Sequence, residues 1–409
     1  MRQASRRFRG SYCSYVFIFF FTYFAMSTFS SVISVYLTGI GKTATEMSLI
    51  VSSGGMFSFV VVPFVGYLCD CFRRHTRLIC AVLVLGMGAL AFGFAFCRQV
   101  WSLFLLNGLV MSLLNATMPV SERLASVCKF RYGTLRVWGT LGYAAGAQAA
   151  GIAIQSFPSF VLFSAVTAAT VLSAVGYLSA EDPTEHEPPA APAPPTAPAP
   201  LTDLAPQTDR REGRAPLSSL LKNPQFLLYL VICFFCAGCS GVNMTYAPML
   251  LNKLGMATGA VGTVLSLSTL VEIPIILFSN KFMDRFSGKF LLVVMFSIFI
   301  VQYLFYGLSD SLWVVVAAMV LLKAVASTLM MMIILKVVRN LVAPALTTTG
   351  LSVVTSVNNL GMIALQNAGG VLVDHTDIPT MYLGMAGLAA LSLLLSLFLK
   401  VRNDEKVFG

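Results

Sequence analysis

The sequence predicts an all-α integral membrane protein whose twelve transmembrane helices form two pseudo-symmetric six-helix bundles. Three observations carry that prediction. The 409 residues are 57% hydrophobic and only 11% charged, with a mean hydropathy of +0.81, whereas soluble chains carry about 25% charge. Twelve apolar runs come close to or exceed the ~20 residues a helix needs to cross a bilayer. A polar, proline-rich segment parts the first six runs from the last six.

The basic N-terminus MRQASRRFRG leads into an apolar stretch from Tyr15 to Leu37. That stretch exceeds the hydrophobic region of a signal peptide and lacks a small-x-small cleavage site, so it is read as a first span near 14–38. The remaining spans fall near 47–69, 78–97, 100–120, 134–156, 159–180, 225–250, 259–280, 289–309, 312–336, 346–370 and 379–400. The expected domains are an N-terminal bundle over 1–180, a linker over 181–216 and a C-terminal bundle over 217–409. The linker holds ten of the 18 prolines and almost no large apolar residue, so it cannot bury a core and reads as a flexible spacer.

Charge placement fixes the expected orientation. With the N-terminus inside, 23 of the 27 lysines and arginines lie on the inner side, and only Lys42, Arg98 and Lys253 lie outside. Excess basic charge marks cytoplasmic loops, so both termini are expected in the cytoplasm and the protein in the plasma (inner) membrane. The net charge of +10 is then a topology signal and does not imply a nucleic-acid partner, which would need a basic patch on a folded polar surface. So little polar chain is left outside the membrane that a large soluble enzyme domain is excluded.

Nine cysteines sit mostly within apolar runs, which rules out the framework of a secreted disulfide protein. Cys233, Cys236 and Cys239 repeat at metal-ligand spacing, but no fourth ligand accompanies them, so they read as small apolar residues of the seventh span. His75, His186 and His375 lie in loops or the linker, and no metal cluster is expected.

An internal repeat is visible. The second span ends in Gly66-Tyr67-Leu68-Cys69-Asp70-Cys71-Phe72-Arg73-Arg74, and the eighth ends in Asn280-Lys281-Phe282-Met283-Asp284-Arg285. The two aspartates stand 214 residues apart at matching places in each half, as duplicated bundles built for alternating access require. An acid at a helix end beside arginines can latch neighbouring helices through charge-assisted hydrogen bonds. Gly66, Asp70, Arg74, Asp284 and Arg285 are therefore candidates for a cytoplasmic gate.

These residues resemble the signature turn of the major facilitator superfamily, although the second copy lacks the leading glycine. Over nearly the whole chain the resemblance narrows to the lactose permease type and its oligosaccharide and nucleoside proton-symporter relatives. Its strongest local basis is Phe130-Arg131-Tyr132-Gly133-Thr134-Leu135-Arg136-Val137-Trp138-Gly139 at the start of the fifth span. The aromatic first span Phe17–Tyr36, which supplies Tyr23 as a binding candidate, and Leu322-Lys323 of the tenth span support it. The resemblance implies the major facilitator fold and proton-coupled symport of a small neutral hydrophilic solute, a sugar, oligosaccharide or nucleoside. No cofactor beyond the proton gradient and a monomeric carrier are expected.

Ionisable groups within spans sharpen the site. A charge at the bilayer centre costs about 2.5–3.5 kcal/mol on insertion scales, so each needs a cavity or a partner. Glu272 and Lys323 are the only two expected to lie deep. Glu272, with Ser268 and Thr269 on its own face, is the candidate for loading and releasing a proton; the alternative is a structural carboxyl permanently paired to Lys323. Arg136, Thr140, Tyr143 and Ala147 share one helical stripe. By resemblance, Arg136 and Tyr143 are a substrate-contacting arginine and a stacking aromatic; Tyr143 packed between helices is an equal alternative. Asn243, Asn358, Asn359 and Gln366 complete the substrate-binding candidates, and some amides are expected to serve only as interhelical hydrogen bonds.

Departures from the sugar permeases accompany the match. Ala326 and Leu329 stand where their histidine and glutamate would be, Asn358-Asn359 replaces a lysine, and Met118 replaces a substrate-binding carboxyl. Two rival readings stay open: a proton-antiporting exporter of amphipathic compounds, and a non-transporting sensor on the same fold. The first predicts resistance phenotypes; the second predicts charged extramembrane surface.

Overall fold

The computed structural model describes residues 10–72, 75–128, 130, 132–180, 222–283, 285–342 and 347–400. Arg74, Asp284 and the linker over 181–216 lie outside the described residues, as does the side chain of Asp70.

Twelve long helices form the described chain, six on each side of the linker. They are α1 (Tyr12–Gly39), α2 (Ala44–Cys71), α3 (Thr76–Phe94), α4 (Val100–Val127), α5 (Tyr132–Ser156) and α6 (Ser159–Ser179). The second set is α7 (Pro224–Lys253), α8 (Thr258–Met283), α9 (Gly288–Leu308), α10 (Leu312–Leu341), α11 (Thr347–His375) and α12 (Ile378–Leu397). This is the all-α plan of two six-helix halves expected from the sequence. Starts are set by local chemistry. Thr43 and Glu46 close a capping box on α2, Asn223 caps α7 ahead of Pro224, and Ser287 and Asp377 cap α9 and α12.

Among the described residues ten helices are long and apolar enough to cross a membrane. The other two are α5 and α11, which have ample length at 25 and 29 residues but carry Arg136, Thr140 and Gln148, or Asn358, Asn359, Gln366 and Asn367. Polar side chains within a span are tolerated where they face protein or a cavity, and both helices lie on the seam between the halves. α5 packs on α8, and α11 packs on α2.

The repeat seen in the sequence is also a repeat of packing. Within the first half α5 packs on α1, where a Cβ at Gly142 would collide with the backbone carbonyl of Phe20; within the second, α11 packs on α7, where a Cβ at Gly361 would collide with that of Phe234. Phe20 and Phe234 stand 214 residues apart, the same offset as the two aspartates. Glycine permits the backbones to touch at both places.

The two chain ends share one end of the bundle, called here the near end. There Gly10 donates from its backbone to Ser179 O at 2.7 Å, and Lys400 donates to Gln225 Oε1 at 2.7 Å. The halves meet most closely at the opposite, far end. At the start of α2, Ala44 and Thr45 each donate a backbone N–H to the Asp374 carboxylate at 2.8 Å, and Tyr246 donates to Ala44 O at 3.2 Å. On the other side of the seam, Gly259 N–H donates to Gln155 Oε1 at 2.7 Å and Ser266 donates to Ala144 O at 2.6 Å.

Candidate functional site

At mid-depth the two halves part around a cavity of about 830 Å³, within the range of small-molecule sites. α1, α2, α4 and α5 wall one side of it; α7, α8, α10 and α11 wall the other. A site shared by both halves is what alternating access requires.

The wall is mostly apolar. Met111, Met244, Met319 and Met362 reach it from four different helices, joined by Phe29 and Phe59. Polar groups are interspersed: Tyr143, whose hydroxyl lies among Ser27, Ser30 and Ser31 of α1, together with Asn115, Asn243, Asn359 and Gln366. Asn359 has no protein partner among the described residues and is available to a solute. Other amides are held in place. Gln366 donates to Thr245 Oγ1 and to Gly241 O at 3.3 Å, Asn243 Oδ1 accepts from Tyr382 at 3.4 Å, and Asn115 donates to Ser58 at 3.0 Å.

One charged residue lines the cavity among the described residues, Lys323. Its placement follows from an irregularity in α10. Residues Ala318–Leu322 form a π-helical turn, and the N–H of Lys323 bonds back to Ala318 O. The Met319 carbonyl instead accepts from Ser268 Oγ of α8 at 3.1 Å, and Ser268 in turn accepts from Lys323 Nζ at 3.2 Å. Such π-bulges recur at functional sites because the freed backbone groups can bind elsewhere.

One turn further toward the near end, Ser327 donates to Glu272 Oε1 at 3.0 Å. Ser268 and Glu272 on α8 therefore meet Lys323 and Ser327 on α10 as two rungs, each pairing an ion with a hydroxyl. Glu272 and Lys323 are close enough to feel each other's charge but do not form an ion pair within 4.0 Å. The permanently paired alternative is not the geometry observed.

Four sequence candidates lie outside the cavity wall. Tyr23 and Arg136 are together: the guanidinium sits 4.6 Å from the Tyr23 ring centroid, and its Nε lies 4.0 Å from Glu122 Oε1. Glu122 belongs to the body of α4, which continues to Val127. Glu272 stands behind the wall, between α8 and α10. Asn358 faces a small niche beside Tyr229, Cys233 and Cys236, where its Oδ1 is buried without a partner. Trp138, by contrast, is an interhelical residue whose indole donates to Tyr12 at 2.9 Å. Of the gate motif, Gly66 has open space around it and Arg285 is exposed, while the remaining members are not described.

Sequence reasoning missed three features. Lys336, counted only among the inner-side basic residues, is buried near the end of α10 and donates to Phe286 O in the turn before α9 at 2.7 Å. Asp374 drew no attention because its partners are backbone groups 330 residues away. The methionines around the cavity look like general membrane composition until the fold gathers them.

The family model described as MFS_1 like family matches residues 12–384. The chain is 25% identical over 393 residues to a maltose permease of Geobacillus stearothermophilus, covering 94% of this chain and 93% of that protein. It is 25% identical over 308 residues to a protein of Escherichia coli (strain K12) named "Probable 3-phenylpropionic acid transporter", covering 73% and 75%. The crystal structure of the nucleoside transporter NupG superposes with a TM-score of 0.76 at 15% identity, covering 95% of this chain and 98% of that one, a likeness of fold.

Proposed function

This chain belongs to the MFS_1 like family and is a multi-pass membrane transporter, not an enzyme; from that premise we propose that it is a proton-coupled symporter working by alternating access as a monomer. Its cargo is a small organic solute with an apolar or aromatic face and a hydrogen-bonding rim. The observation that carries this reading is the mid-depth cavity shared by both halves, apolar over most of its wall and polar at a few fixed points. The related proteins are named for a disaccharide, a nucleoside and an aromatic acid, and the first two classes are the ones read from the sequence.

With both termini in the cytoplasm, as the basic loops indicate, the far end is external, and contacts concentrated there describe an inward-open carrier. Glu272 is the proton-carrying group. It stands behind the wall beside Lys323, the cavity's only charged wall residue among those described, and holds a hydroxyl partner that suits either protonation state. In proteoliposomes with simultaneous pH recording, Glu272→Gln is expected to keep solute exchange and lose accumulation against a gradient. Full accumulation by that variant would overturn the coupling role.

A further inference from the structure

We propose that the solute carries one carboxylate, that Lys323 is its anchor, and that the carrier moves it together with one proton so that no net charge crosses the membrane. This rests on the transporter reading above and names the substrate class of the same site. Three observations lead to it.

First, the cavity wall carries an ammonium and no carboxylate among the described residues. A cation facing an apolar cavity is costly unless an anion answers it. Second, the protein does not supply that anion directly. Lys323 Nζ donates to the neutral hydroxyl of Ser268, no carboxylate oxygen lies within 4.0 Å, and Glu272 is engaged by Ser327 one turn away. The ammonium thus keeps donors for a ligand, and the π turn of α10 with Ser268 fixes where they start. Third, the rest of the wall offers what the body of such an acid needs. Four methionines and two phenylalanines give an adaptable apolar surface, and Tyr143 adds an aromatic face. An aromatic or medium-chain aliphatic monoacid matches one charge point in a cavity whose other polar groups are neutral. A diacid would leave its second carboxylate unanswered.

The rungs then define a cycle in which charge balances at each stage. Facing the far end, a proton from that side adds to a Glu272 carboxylate oxygen, and the solute carboxylate accepts charge-assisted hydrogen bonds from Lys323. Facing the near end, the solute leaves and the Glu272 O–H bond breaks, delivering its proton to that side. The remaining carboxylate answers the Lys323 charge during the empty return. The groups facing this pair are Ser268 and Thr269 on α8, Ser327 on α10 and Tyr143 on α5. The Arg136–Glu122 pair is separate from the cavity wall. Loaded and empty carriers hold the same net charge, so neither crossing moves charge through the membrane potential.

The test compares phenylacetate and hexanoate with phenylacetamide and hexanamide, and with uridine and maltose, on the purified full chain. Binding is read by calorimetry, and transport in proteoliposomes is read against protein-free liposomes. The acids are expected to bind about tenfold or more tightly than the matching amides. Lys323→Gln should bring that ratio to about one, and Lys323→Arg should restore part of it. Acid uptake should respond to a pH gradient and be unchanged by a potassium diffusion potential imposed with valinomycin. These wild-type comparisons stand even if a lysine variant fails to fold. Amides binding as well as acids, or uridine or maltose preferred with uptake that carries current, would overturn the anion site and leave the transporter reading in place. If no probe of the panel binds or moves, the monoacid proposal falls and the transporter assignment, which rests on the family match, stands.

Discussion

The seam between the halves is built differently at its two levels. At the far end it is sealed by backbone. Gly262 lies so close to α5 that a Cβ there would meet Ala147 O at 2.5 Å and the Gly151 Cα at 3.1 Å, and Asp374 caps α2 from across the seam. At mid-depth side chains of the same helices line a cavity. The comparison teaches what a reversible barrier requires. Small residues and a few hydrogen bonds give close contact without the deep interdigitation that would make separation slow, and the larger side chains are kept for the solute.

The largest expected effect comes from spoiling the backbone contact. Gly262→Val would drive a branched side chain against α5, and overpacking of this kind costs about 1–3 kcal/mol. Charged against the closed far end, that is a shift of about tenfold or more in the balance between the two access states. Spin labels on the loops at 40–43 and 254–257 should report a wider far end, and uptake should fall. Unchanged distances would mean that the seam yields elsewhere.

A smaller effect is expected at Asp374. Asp374→Ala removes a cap from α2, worth about 1 kcal/mol by the usual cost of losing an N-cap, and should widen the same label distance less than Gly262→Val does. Partial burial works against the ionised form of Asp374, but hydrogen bonds from Thr45 and the Ala44 backbone outweigh it and hold the carboxyl below the usual carboxylate range. Its contribution is therefore complete above the ordinary aspartate value of ~3.9 and is lost only as pH falls through the depressed one. The far-end label distance should not move between pH 7 and pH 5. A change in that window would assign the far-end response to another group.

The smallest effect is predicted for the Glu122–Arg136 pair. Both side chains are more than a third exposed and the N···O distance is 4.0 Å, so Glu122→Gln should alter thermal stability by about 0–1 kcal/mol. A large loss of transport by that variant, with folding intact, would give the pair a role that its geometry does not suggest.

The fold was legible because bilayer physics writes itself into composition: length, apolarity and the sidedness of lysine and arginine suffice for twelve spans and a duplicated plan. α5 and α11 were legible too, as runs of adequate length whose polar residues pointed to a protein-facing role. Within the site, Glu272 and Lys323 could be found because ions within spans are rare, and the structure places them beside one cavity. Their relation was not legible. Whether two ions pair depends on rotation about two helices, and the π turn that sets the rotation of α10 has no simple sequence mark. Arg136 and Tyr23 were chosen by resemblance, and they lie together but away from the cavity wall. Asp374 was invisible for a different reason, since its partners at the start of α2 lie in the other half of the chain, 330 residues away for Ala44.

The π turn at Ala318–Leu322 has the arithmetic of an insertion. A π-bulge takes up one residue beyond the regular α-helical count, and one residue of α-helix is about 100° of rotation. Deleting a single residue there would let α10 close as an ordinary helix and swing its two flanks about 100° relative to each other. Either Lys323 and Ser327 would turn away from α8, or the segment before them would lose its packing. The charge in the cavity is thus set by a count of residues as much as by the choice of lysine. A chain one residue shorter at this point would retain every side chain of the site and lose their arrangement.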